Sequence, residues 1–549
     1  MSEASPAASS APAGLERSRA LARLEGERFD CAVVGGGITG AGIAREAARR
    51  GLAVALLEAE DFAAGTSSRS SKLIHGGLRY LAMGDVATVR QTALERKAIR
   101  RIAPHLAEPR WMLVPARSRA GLAKIRVGLA AYEKLGAIEP ADRHHNWSSD
   151  DLARGEPALD REAYPFACLY REYLTDDARL VLANLRAAAA DGAVALNYAP
   201  VRRVLVEDGR ACGVVAECAE SGRRVRVRAR CVINAAGPWV DAVRALEDPA
   251  ARPLLHLSKG VHVVLRRERL PLRNVVVMNA GGGRSIFAVP RGPVVYVGTT
   301  DTTHGAGHAL WPAIEPGDVL YLLAPLARTF AGRPVGPEEV VAAWAGLRPL
   351  LAQPGKPPQE ISRRDEVMLG PAGVVTIAGG KLTGYRPMAR AALERAAQEA
   401  GLRLADAPGE EAPLPGGDFD GDLDRLAAQV AAGAGVPITC ARRLARLYGA
   451  EACAVAALGA EPLCEDRDVL AGEVEWAVRR EGALRLEDVL YRRLRTALYR
   501  PQARETAVDP AARRMAALAG WSDERTEREM AAVRARLRAD LAFREEAAA

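Results

Sequence analysis

Residues Cys31–Ala44 have the sequence CAVVGGGITGAGIA, and this segment indicates the fold class of the chain. Three glycines with G-x-G-x-x-G spacing, Gly35, Gly37 and Gly40, directly follow an apolar run. The first glycine permits a tight turn, the second lets a pyrophosphate approach the backbone, and the third lets a helix pack against the sheet. The N–H groups at the start of that helix favour phosphate oxygens. The stretch therefore predicts a dinucleotide-binding turn.

The segments around this turn complete a β–α–β unit. We expect a strand over Phe29–Val34, a helix over Ile38–Arg50 and a second strand over Ala53–Glu58. Glu58 follows Gly40 by eighteen residues, where a carboxylate accepts hydrogen bonds from ribose hydroxyls. The predicted dinucleotide contacts of the unit are Gly35, Gly37, Ile38, Thr39, Gly40 and Glu58.

Patterns further along the chain indicate several domains. A chain of 549 residues is too long for one ordinary core. Residues 1–14 read as disordered and Leu15–Glu27 as a short charged helix. The segment Asp406–Gly421 is rich in Pro, Gly and acidic residues, which is typical of a linker, and only helices are indicated after it. Alternating apolar and polar residues predict strands in the segments Ala211–Val232, Val261–Leu265, Val275–Met278, Ser285–Val289 and Val294–Thr299.

Composition and charge exclude several classes of protein. The formal net charge of +8 suits anionic small molecules or an anionic membrane surface, and no basic run is interleaved with aromatic residues for nucleic acid. The eight cysteines form no C-x-x-C pair, which argues against a zinc site or a disulfide scaffold and favours a reducing compartment. The N-terminus lacks the apolar segment of a secretory signal, and no apolar stretch of about 18 residues predicts a membrane span.

One amphipathic segment has two interpretations. The sequence AGLAKIRVGLAAYEKLG, Ala120–Gly136, places Leu122, Ile125, Leu129 and Leu135 at helical spacing, with basic residues between them. Such a helix either packs against the protein core or lies on an anionic membrane surface.

After Glu58 a series of motifs follows in a fixed order. The first is DFAAGTSSRSSKLIHGGLRYL, residues Asp61–Leu81. The later ones are WMLVP at Trp111–Pro115, DDARLVL at Asp176–Leu182, NAAGPWVD at Asn234–Asp241, GTTD at Gly298–Asp301, GLRPL at Gly346–Leu350 and GGKLTGYR at Gly379–Arg386. With these motifs the chain resembles the FAD-dependent glycerol-3-phosphate dehydrogenases of the aerobic, membrane-associated type. The resemblance runs from about Phe29 to Ala391, and more loosely beyond.

The resemblance implies an α/β fold with FAD as cofactor. It predicts a glutathione-reductase-like FAD-binding Rossmann domain, an antiparallel β-sheet substrate domain and an α-helical C-terminal domain. The expected bounds are an N-terminal arm 1–28, an oxidoreductase body 29–405, a linker 406–421 and a helical domain 422–549. Within the body, FAD-binding segments are expected at about 29–105, 170–255 and 355–405, and the substrate domain at about 106–169 and 256–354.

The same motifs imply further FAD contacts. Hydroxyl groups in the loop after Glu58 are donors suited to phosphate and flavin edges. In GGKLTGYR, a strand ends at two glycines and a helix begins, so its N–H groups would face the flavin N1–C2=O edge. The expected contacts are Thr66, Ser67, Ser68, Ser70, Lys72, Leu73, His75, Gly76, Gly77, Ala236, Gly237, Gly380, Lys381, Leu382 and Thr383.

The implied reaction is oxidation of sn-glycerol 3-phosphate to dihydroxyacetone phosphate, with the C2 hydride passing to flavin N5. A phosphate favours the planar donors of arginine, and three arginines match substrate-site positions of the family. The doubled arginine at 363–364 leaves one of these matches open by one residue. The implied substrate contacts are Arg79, Tyr80, Arg348, Arg363, Lys381 and Thr383.

His262, in the sequence SKGVH, is the best candidate for the general base, because an imidazole titrates near neutral pH. A half-buried strand histidine is the alternative, and Val261 stands where the family often has a small residue. Arg348 is expected to stabilise the alkoxide, and Lys381 is included among the catalytic candidates.

The expected electron acceptor is a membrane quinone, reached from the cytoplasm by peripheral contact with the inner face of the cell membrane. A homodimer or scaffold role is the hypothesis for the C-terminal domain. Three alternatives stay open. One is a soluble glycerol-3-phosphate oxidase that uses oxygen and makes hydrogen peroxide. The others are a flavoenzyme for an amino acid or amine, and a non-catalytic dinucleotide-binding sensor.

Overall fold

The computed structural model describes residues 15–76, 85–136, 138–282, 284–305, 307, 309–353, 365–406 and 412–548. The strands are β1 Arg28–Val34, β2 Val54–Leu57, β3 Leu73–Ile74, β4 Glu108–Ala116, β5 His145–Trp147, β6 Phe166–Leu174, β7 Val194–Leu196, β8 Val201–Glu207, β9 Arg210–Glu217, β10 Arg224–Asn234, β11 Leu255–Arg266, β12 Val275–Gly281, β13 Arg284–Arg291, β14 Val294–Gly298, β15 Thr302–Thr303, β16 Val340–Leu351, β17 Asp365–Leu369 and β18 Val375–Gly379.

The α-helices are α1 Arg17–Gly26, α2 Ile38–Arg49, α3 Val86–Ile102, α4 Arg119–Gly136, α5 Ser149–Gly155, α6 Asp177–Ala190, α7 Val240–Arg244, α8 Pro316–Thr329, α9 Tyr385–Ala400, α10 Leu423–Ala434, α11 Ile438–Tyr448, α12 Ala452–Ala457, α13 Gly472–Glu481, α14 Thr496–Tyr499, α15 Ala503–Thr506, α16 Val508–Ala519, α17 Asp523–Ala539 and α18 Phe543–Ala548. Short 3₁₀ turns at Thr66–Ser68, Gly237–Trp239 and Leu382–Gly384, and a π-helical turn at Asp488–Arg493, lie at positions that matter below.

The first sheet is built around the predicted β–α–β unit. Its parallel strands follow the order β18-β10-β1-β2-β7, and β17 and the β8–β9 hairpin join with antiparallel pairing. Helix α2 packs against α6 and α9 on one face of this sheet. Because β1, β2, β10 and β18 run in the same direction, the turns that leave them meet at one edge.

The second sheet has ten strands, in the order β15-β11-β14-β13-β12-β4-β6-β3, with β16 on β11 and β5 on β6. Pairing is antiparallel as expected, except that β12 and β4 are parallel. The strand predicted at Val261–Leu265 is the centre of the longer β11, which pairs with β16 from Leu255↔Leu351 to Leu265↔Val340. This long pair carries the substrate-site candidates.

The C-terminal region is helical, but only part of it has a core of its own. Side chains such as Leu426, Leu444 and Trp476 pack among themselves. Later side chains, such as Leu490 and Met515, share one core with strands of the second sheet. The α-helical C-terminal domain is thus present as expected, and its later part buries its apolar faces against the body. The predicted bounds 29–405, 406–421 and 422–549 remain a prediction.

The amphipathic segment forms helix α4, close to the predicted span. Leu129 is buried, and Leu122 and Ile125 pack at the edge of the shared core, whereas Val127 is 73% exposed. Within the ranges described, no helix combines the length and the apolar character needed to cross a bilayer. The disorder predicted for residues 1–14 lies outside the described residues.

Candidate active site

The glycine turn between β1 and α2 has the close approaches that its spacing predicts. Gly35 has φ +113°, and a Cβ atom there would lie 2.5 Å from the carbonyl oxygen of Ala235. A Cβ atom at Gly40 would lie 1.9 Å from the carbonyl oxygen of Gly35. Any side chain at these two positions would displace backbone atoms. Helix α2 can therefore begin directly at the turn only because both residues are glycine.

Glu58 closes this turn from the end of β2. Its Oε2 accepts a hydrogen bond from the N–H of Gly36 at 2.6 Å, and its Oε1 accepts one from Glu60 at 2.8 Å. Burial raises the pKa of Glu58 to about 6, although these two hydrogen bonds oppose the rise. The carboxylate is thus fixed where the β–α–β unit would present it to a ribose.

The donors around the turn fit an adenine dinucleotide. Gly37, at the N-cap of α2, has no side chain to cap the helix, and the N–H of Ile38 donates to Ser67 Oγ at 3.0 Å. Bare glycine backbone, the first turn of a helix and a hydroxyl are donors suited to a pyrophosphate, and the Glu58 carboxylate is an acceptor for ribose hydroxyls. Thr39 and Gly40 continue the same helical turn.

The loop from Thr66 to Lys72 joins the two sheets. Thr66 Oγ1 donates to the carbonyl oxygen of Leu347 in β16 at 2.5 Å. Ser70 donates through both its N–H, at 3.0 Å, and its hydroxyl, at 2.7 Å, to Asp177 Oδ2 at the start of α6. Ser68 is buried, and Leu73 in β3 pairs with Leu174 in β6. The loop is therefore held at both of its ends.

Lys72 anchors this loop from inside the protein. Its side chain is fully buried, with Nζ 2.9 Å from Asp177 Oδ2 and 2.7 Å from the carbonyl oxygen of Ser68. Burial lowers the pKa of Lys72 to about 7, although Asp177 opposes the fall. Because its ammonium is engaged in this way, Lys72 faces the protein interior, and a cofactor contact would come from its backbone.

His262 lies on β11 and is only 2% exposed. Its ring stacks on Trp344 with 4.8 Å between centroids, and its Nε2 lies 2.9 Å from Ser71 Oγ. Nδ1 has no hydrogen-bond partner among the described residues. Burial, and then the positive charges of Lys72 and Arg348, lower the pKa of His262 well below its ordinary value. The imidazole is therefore neutral at neutral pH.

Arg348 lies on β16, on the same face of the sheet as His262. The register pairs Gly260 with Gly346, and His262 with Trp344, so alternate residues of the two strands share this face. Arg348 Nη2 donates to Thr299 Oγ1 at 2.9 Å, and its Nη1 lies 3.3 Å from Asp301 Oδ1. The guanidinium is thus held above Gly260.

The remaining predicted turns approach the same place. Thr383 Oγ1 donates to the carbonyl oxygen of His75 at 3.3 Å, which connects GGKLTGYR to the loop after Glu58. Lys381 begins the turn Leu382–Gly384, and Gly380, with φ +82°, precedes it. A Cβ atom at Gly65 would lie 2.8 Å from the Trp239 ring, so the turn with Ala236 and Gly237 also borders the loop.

The buried end of the loop is fixed by a second ion pair. Gly76 N–H donates to Glu172 Oε2 at 3.2 Å, and that carboxylate pairs with Arg96 at 2.6 Å. A Cβ atom at Gly76 would lie 1.9 Å from the hydroxyl of Tyr132, so no larger residue fits there.

Some of the predicted site residues have no description here. Gly77, Arg79, Tyr80 and Arg363 lie outside the described residues. Conversely, the sequence reasoning missed Ser71, Trp344 and Asp177, which contact His262 or the loop. Trp344 stands four residues before Arg348, so strand alternation alone places both on one face. Ser71 and Asp177 lie within the quoted motifs Asp61–Leu81 and Asp176–Leu182, which was the signal that could have identified them.

Comparisons with known proteins agree with this geometry. A family model described as FAD dependent oxidoreductase matches residues 30–386, and one described as the C-terminal domain of alpha-glycerophosphate oxidase matches 408–526. Aerobic glycerol-3-phosphate dehydrogenases of Staphylococcus epidermidis and Bacillus subtilis are 40% and 36% identical to the chain, over 79% of it and 80% of each relative.

A solved structure gives the same result. The glycerol-3-phosphate dehydrogenase from Bacillus halodurans complexed with FAD is 31% identical, with a TM-score of 0.79, and the match covers 96% of this chain and 98% of that one. These matches confirm the predicted fold class, FAD as the cofactor and the assignment to the oxidoreductases.

Proposed function

We propose that this chain, which belongs to the FAD-dependent oxidoreductase family and to its group of aerobic glycerol-3-phosphate dehydrogenases, oxidises sn-glycerol 3-phosphate to dihydroxyacetone phosphate. One observation carries the proposal. A fixed guanidinium, that of Arg348, and a neutral imidazole, that of His262, lie on one face of the β11–β16 pair, beside the loop Thr66–Lys72. This pairing of an anion-binding group with a base suits a phosphorylated alcohol.

The turn and loop residues would hold the cofactor. We assign the phosphates and ribose to the unit formed by Gly35, Gly37, Ile38, Thr39, Gly40 and Glu58. The flavin would lie against the loop Thr66–Gly76 and the turns at Ala236–Gly237 and Gly380–Thr383. When bound there, FAD supplies the acceptor for the hydride that leaves C2 of the substrate.

Arg348 would bind the substrate together with Lys381 and Thr383. A guanidinium presents parallel N–H donors to phosphate or alkoxide oxygens, which a point charge does not. Asp301 and Thr299 fix its orientation before substrate arrives, so little side-chain freedom is lost on binding. We assign the same role to Arg79, Tyr80 and Arg363 on the resemblance alone.

His262 would take the proton of the C2 hydroxyl. Because His262 is buried and Ser71 is only half-buried, the Ser71 hydroxyl is the group that can meet the substrate and pass its proton to Nε2. The low pKa keeps the imidazole unprotonated, and the stacked Trp344 ring keeps the proton away from bulk water.

The test is anaerobic addition of sn-glycerol 3-phosphate to the purified holoenzyme while the visible flavin absorbance is recorded. Loss of that absorbance supports the proposal, and an unchanged spectrum would refute it. Glycerol and inorganic phosphate, added separately, are the controls, since neither carries both the alcohol and the phosphate on one molecule.

For the electron acceptor we propose a membrane quinone, with helix α4 as the contact to an anionic bilayer. Exposed Val127 on α4 and Leu94 on α3 are accompanied by exposed Lys124, Arg126 and Lys134. Apolar side chains among basic ones suit the interface of an anionic membrane. Sedimentation with anionic vesicles, which Val127→Asp should weaken, tests the contact. Faster reoxidation by oxygen than by a quinone analogue would favour the oxidase instead.

A further inference from the structure

The C-terminal helical region reaches the candidate active site through one buried arginine. Arg495 is 1% exposed and lies between the π-helical turn and α14. Its Nε donates to Asp176 Oδ2 at 3.2 Å, its Nη2 donates to Asp177 Oδ1, and its Nη1 approaches the carbonyl oxygen of Ser68 at 3.4 Å. Its backbone adopts φ +62°, which non-glycine residues seldom do. Several simultaneous contacts therefore fix this residue.

Asp177 connects Arg495 to two residues of the loop, Ser70 and Lys72. One carboxylate receives Arg495, Lys72 Nζ, and the N–H and hydroxyl of Ser70. Lys72 and Arg495 also share the carbonyl oxygen of Ser68. A guanidinium presents its N–H donors from three separate nitrogens in one rigid plane, whereas an ammonium of the same charge donates from a single atom and would not reach these acceptors in the same directions.

The residue between Ser70 and Lys72 is Ser71, which contacts the candidate base. Ser71 Oγ lies 2.9 Å from His262 Nε2, and the Ser71 carbonyl oxygen accepts a hydrogen bond from Tyr296 at 2.9 Å. Both neighbours of Ser71 in the chain are therefore tied to the carboxylate that Arg495 holds.

We propose that Arg495 is a positioning residue of the reaction. Through Asp177 it fixes the loop Thr66–Lys72 and hence the hydroxyl of Ser71 against His262. On this basis the C-terminal region supports the active site through the loop, although it does not line the site. The inference rests on the proposed function for its catalytic consequence, but its structural half stands without it.

The experiment compares three variants of the holoenzyme with the wild type. Arg495→Lys keeps the charge, and Arg495→Met removes it. The matched control is Glu451→Gln, because Glu451 pairs with Arg186 through two 2.7 Å bonds and also joins α6 to the C-terminal region. Arg186 is nine residues from Asp177 along α6, or roughly 13 Å at 1.5 Å per residue.

Two readouts are made on each variant. Amide hydrogen exchange is measured for peptides from the loop, and the limiting rate of flavin bleaching is measured against sn-glycerol 3-phosphate concentration. We expect faster exchange in the loop for both Arg495 variants but not for Glu451→Gln. The limiting rate should fall about 10-fold in Arg495→Lys and about 100-fold in Arg495→Met, with the half-saturating concentration little changed.

Loop exchange and limiting rates equal to those of Glu451→Gln would overturn the proposal. If Arg495→Met does not fold, Arg495→Lys decides by the same comparison. If the wild type itself is not bleached by the substrate, the proposed function fails, while the exchange readout still decides whether Arg495 holds the loop.

Discussion

The guanidinium of Arg348 lies directly above the α-carbon of Gly260, on the neighbouring strand. A Cβ atom built on Gly260 would approach Arg348 Nη2 to 2.3 Å. Since the atom in contact is the end of a flexible side chain, a methyl group there would move the guanidinium rather than the backbone. The glycine in SKGVH therefore sets the position of the arginine in GLRPL.

Gly260→Ala should consequently raise the KM for sn-glycerol 3-phosphate by about 10-fold, because about 1.4 kcal/mol of lost binding corresponds to that factor. FAD content and the thermal midpoint should change little. Gly317→Ala, at an open position in α8, is the control. A KM equal to that of the control would show that Arg348 does not bind the substrate from its present place.

Removal of the guanidinium itself should have a larger effect. In Arg348→Ala we expect the KM to rise by about 100-fold, since charge-assisted bonds to phosphate contribute about 1.5–3 kcal/mol each. FAD content should stay that of the wild type, because the Arg348 side chain contacts Asp301 and Thr299 rather than the glycine turn. Loss of bound FAD would instead assign Arg348 to the fold.

The pH dependence of the first half-reaction tests the base. The pKa of His262 lies well below its ordinary value, so the imidazole needs no deprotonation in the neutral pH range. The limiting rate of bleaching should therefore stay level from about pH 8 down to about pH 6. His262→Asn should lower it about 10²–10⁴-fold, and Ser71→Ala less. An acid limb with its midpoint near 6.5 would exclude a base in this buried environment.

FAD binding should depend on the ionisation of Glu58. The pKa of Glu58 is raised to about 6 by burial, and only the carboxylate accepts hydrogen bonds from both ribose hydroxyls. The apparent Kd of the apoprotein for FAD should therefore be about 10-fold weaker at pH 5 than at pH 7, as proton competition with a pKa near 6 requires. Fluorescence titration measures this, and Glu58→Gln should bind weakly at both pH values. A pH-dependent Glu58→Gln variant would locate the titrating group elsewhere.

The dinucleotide turn was predictable because its constraints are local. Gly35, Gly40 and Glu58 act within one β–α–β unit, where spacing along the chain determines spacing in the structure. The shared face of β11 and β16 could also be predicted in part, since strand alternation places Trp344 and Arg348 on the same side. The predicted strand at Val261–Leu265 was too short, because the apolar run marks only the doubly buried centre of β11.

Contacts between distant segments could not be predicted in this way. The sequence distance between Asp177 and Arg495 is more than 300 residues, and no periodicity relates them. The region 422–549 was expected to be an α-helical domain from its own pattern, but that pattern did not indicate that its later apolar side chains pack against Trp344 and Tyr296. An amphipathic sequence pattern indicates that one face of a helix is buried, but it does not identify the segment that covers this face.

The ion-pair cluster of Asp61 with Arg492 and Arg493 is a second contact between distant segments of the chain. We expect it to have a large effect on stability. Asp61 is fully buried, and both guanidinium groups donate to its carboxylate, as does Asn197. Burial would raise the pKa of Asp61, but the two arginines outweigh it and lower the pKa below 3.8. The ion pair thus contributes stability above about pH 4 that is lost as pH falls through the lowered pKa.

Asp61→Asn should therefore lower the free energy of unfolding at pH 7 by about 3–5 kcal/mol, because it removes the anion that pairs with buried Arg493 and one of the three carboxylates around buried Arg492. Urea unfolding followed by fluorescence measures the change. The matched control is Asp509→Asn, which removes the half-exposed partner of Arg534 and should cost less than about 1 kcal/mol. The difference between the two variants should persist from pH 7 down to about pH 4 and shrink only below that, as the pH falls through the lowered pKa of Asp61, because protonation of Asp61 then removes the same charge from the wild type. Equal effects of the two substitutions at pH 7 would mean that the C-terminal arginines do not depend on Asp61 for their burial.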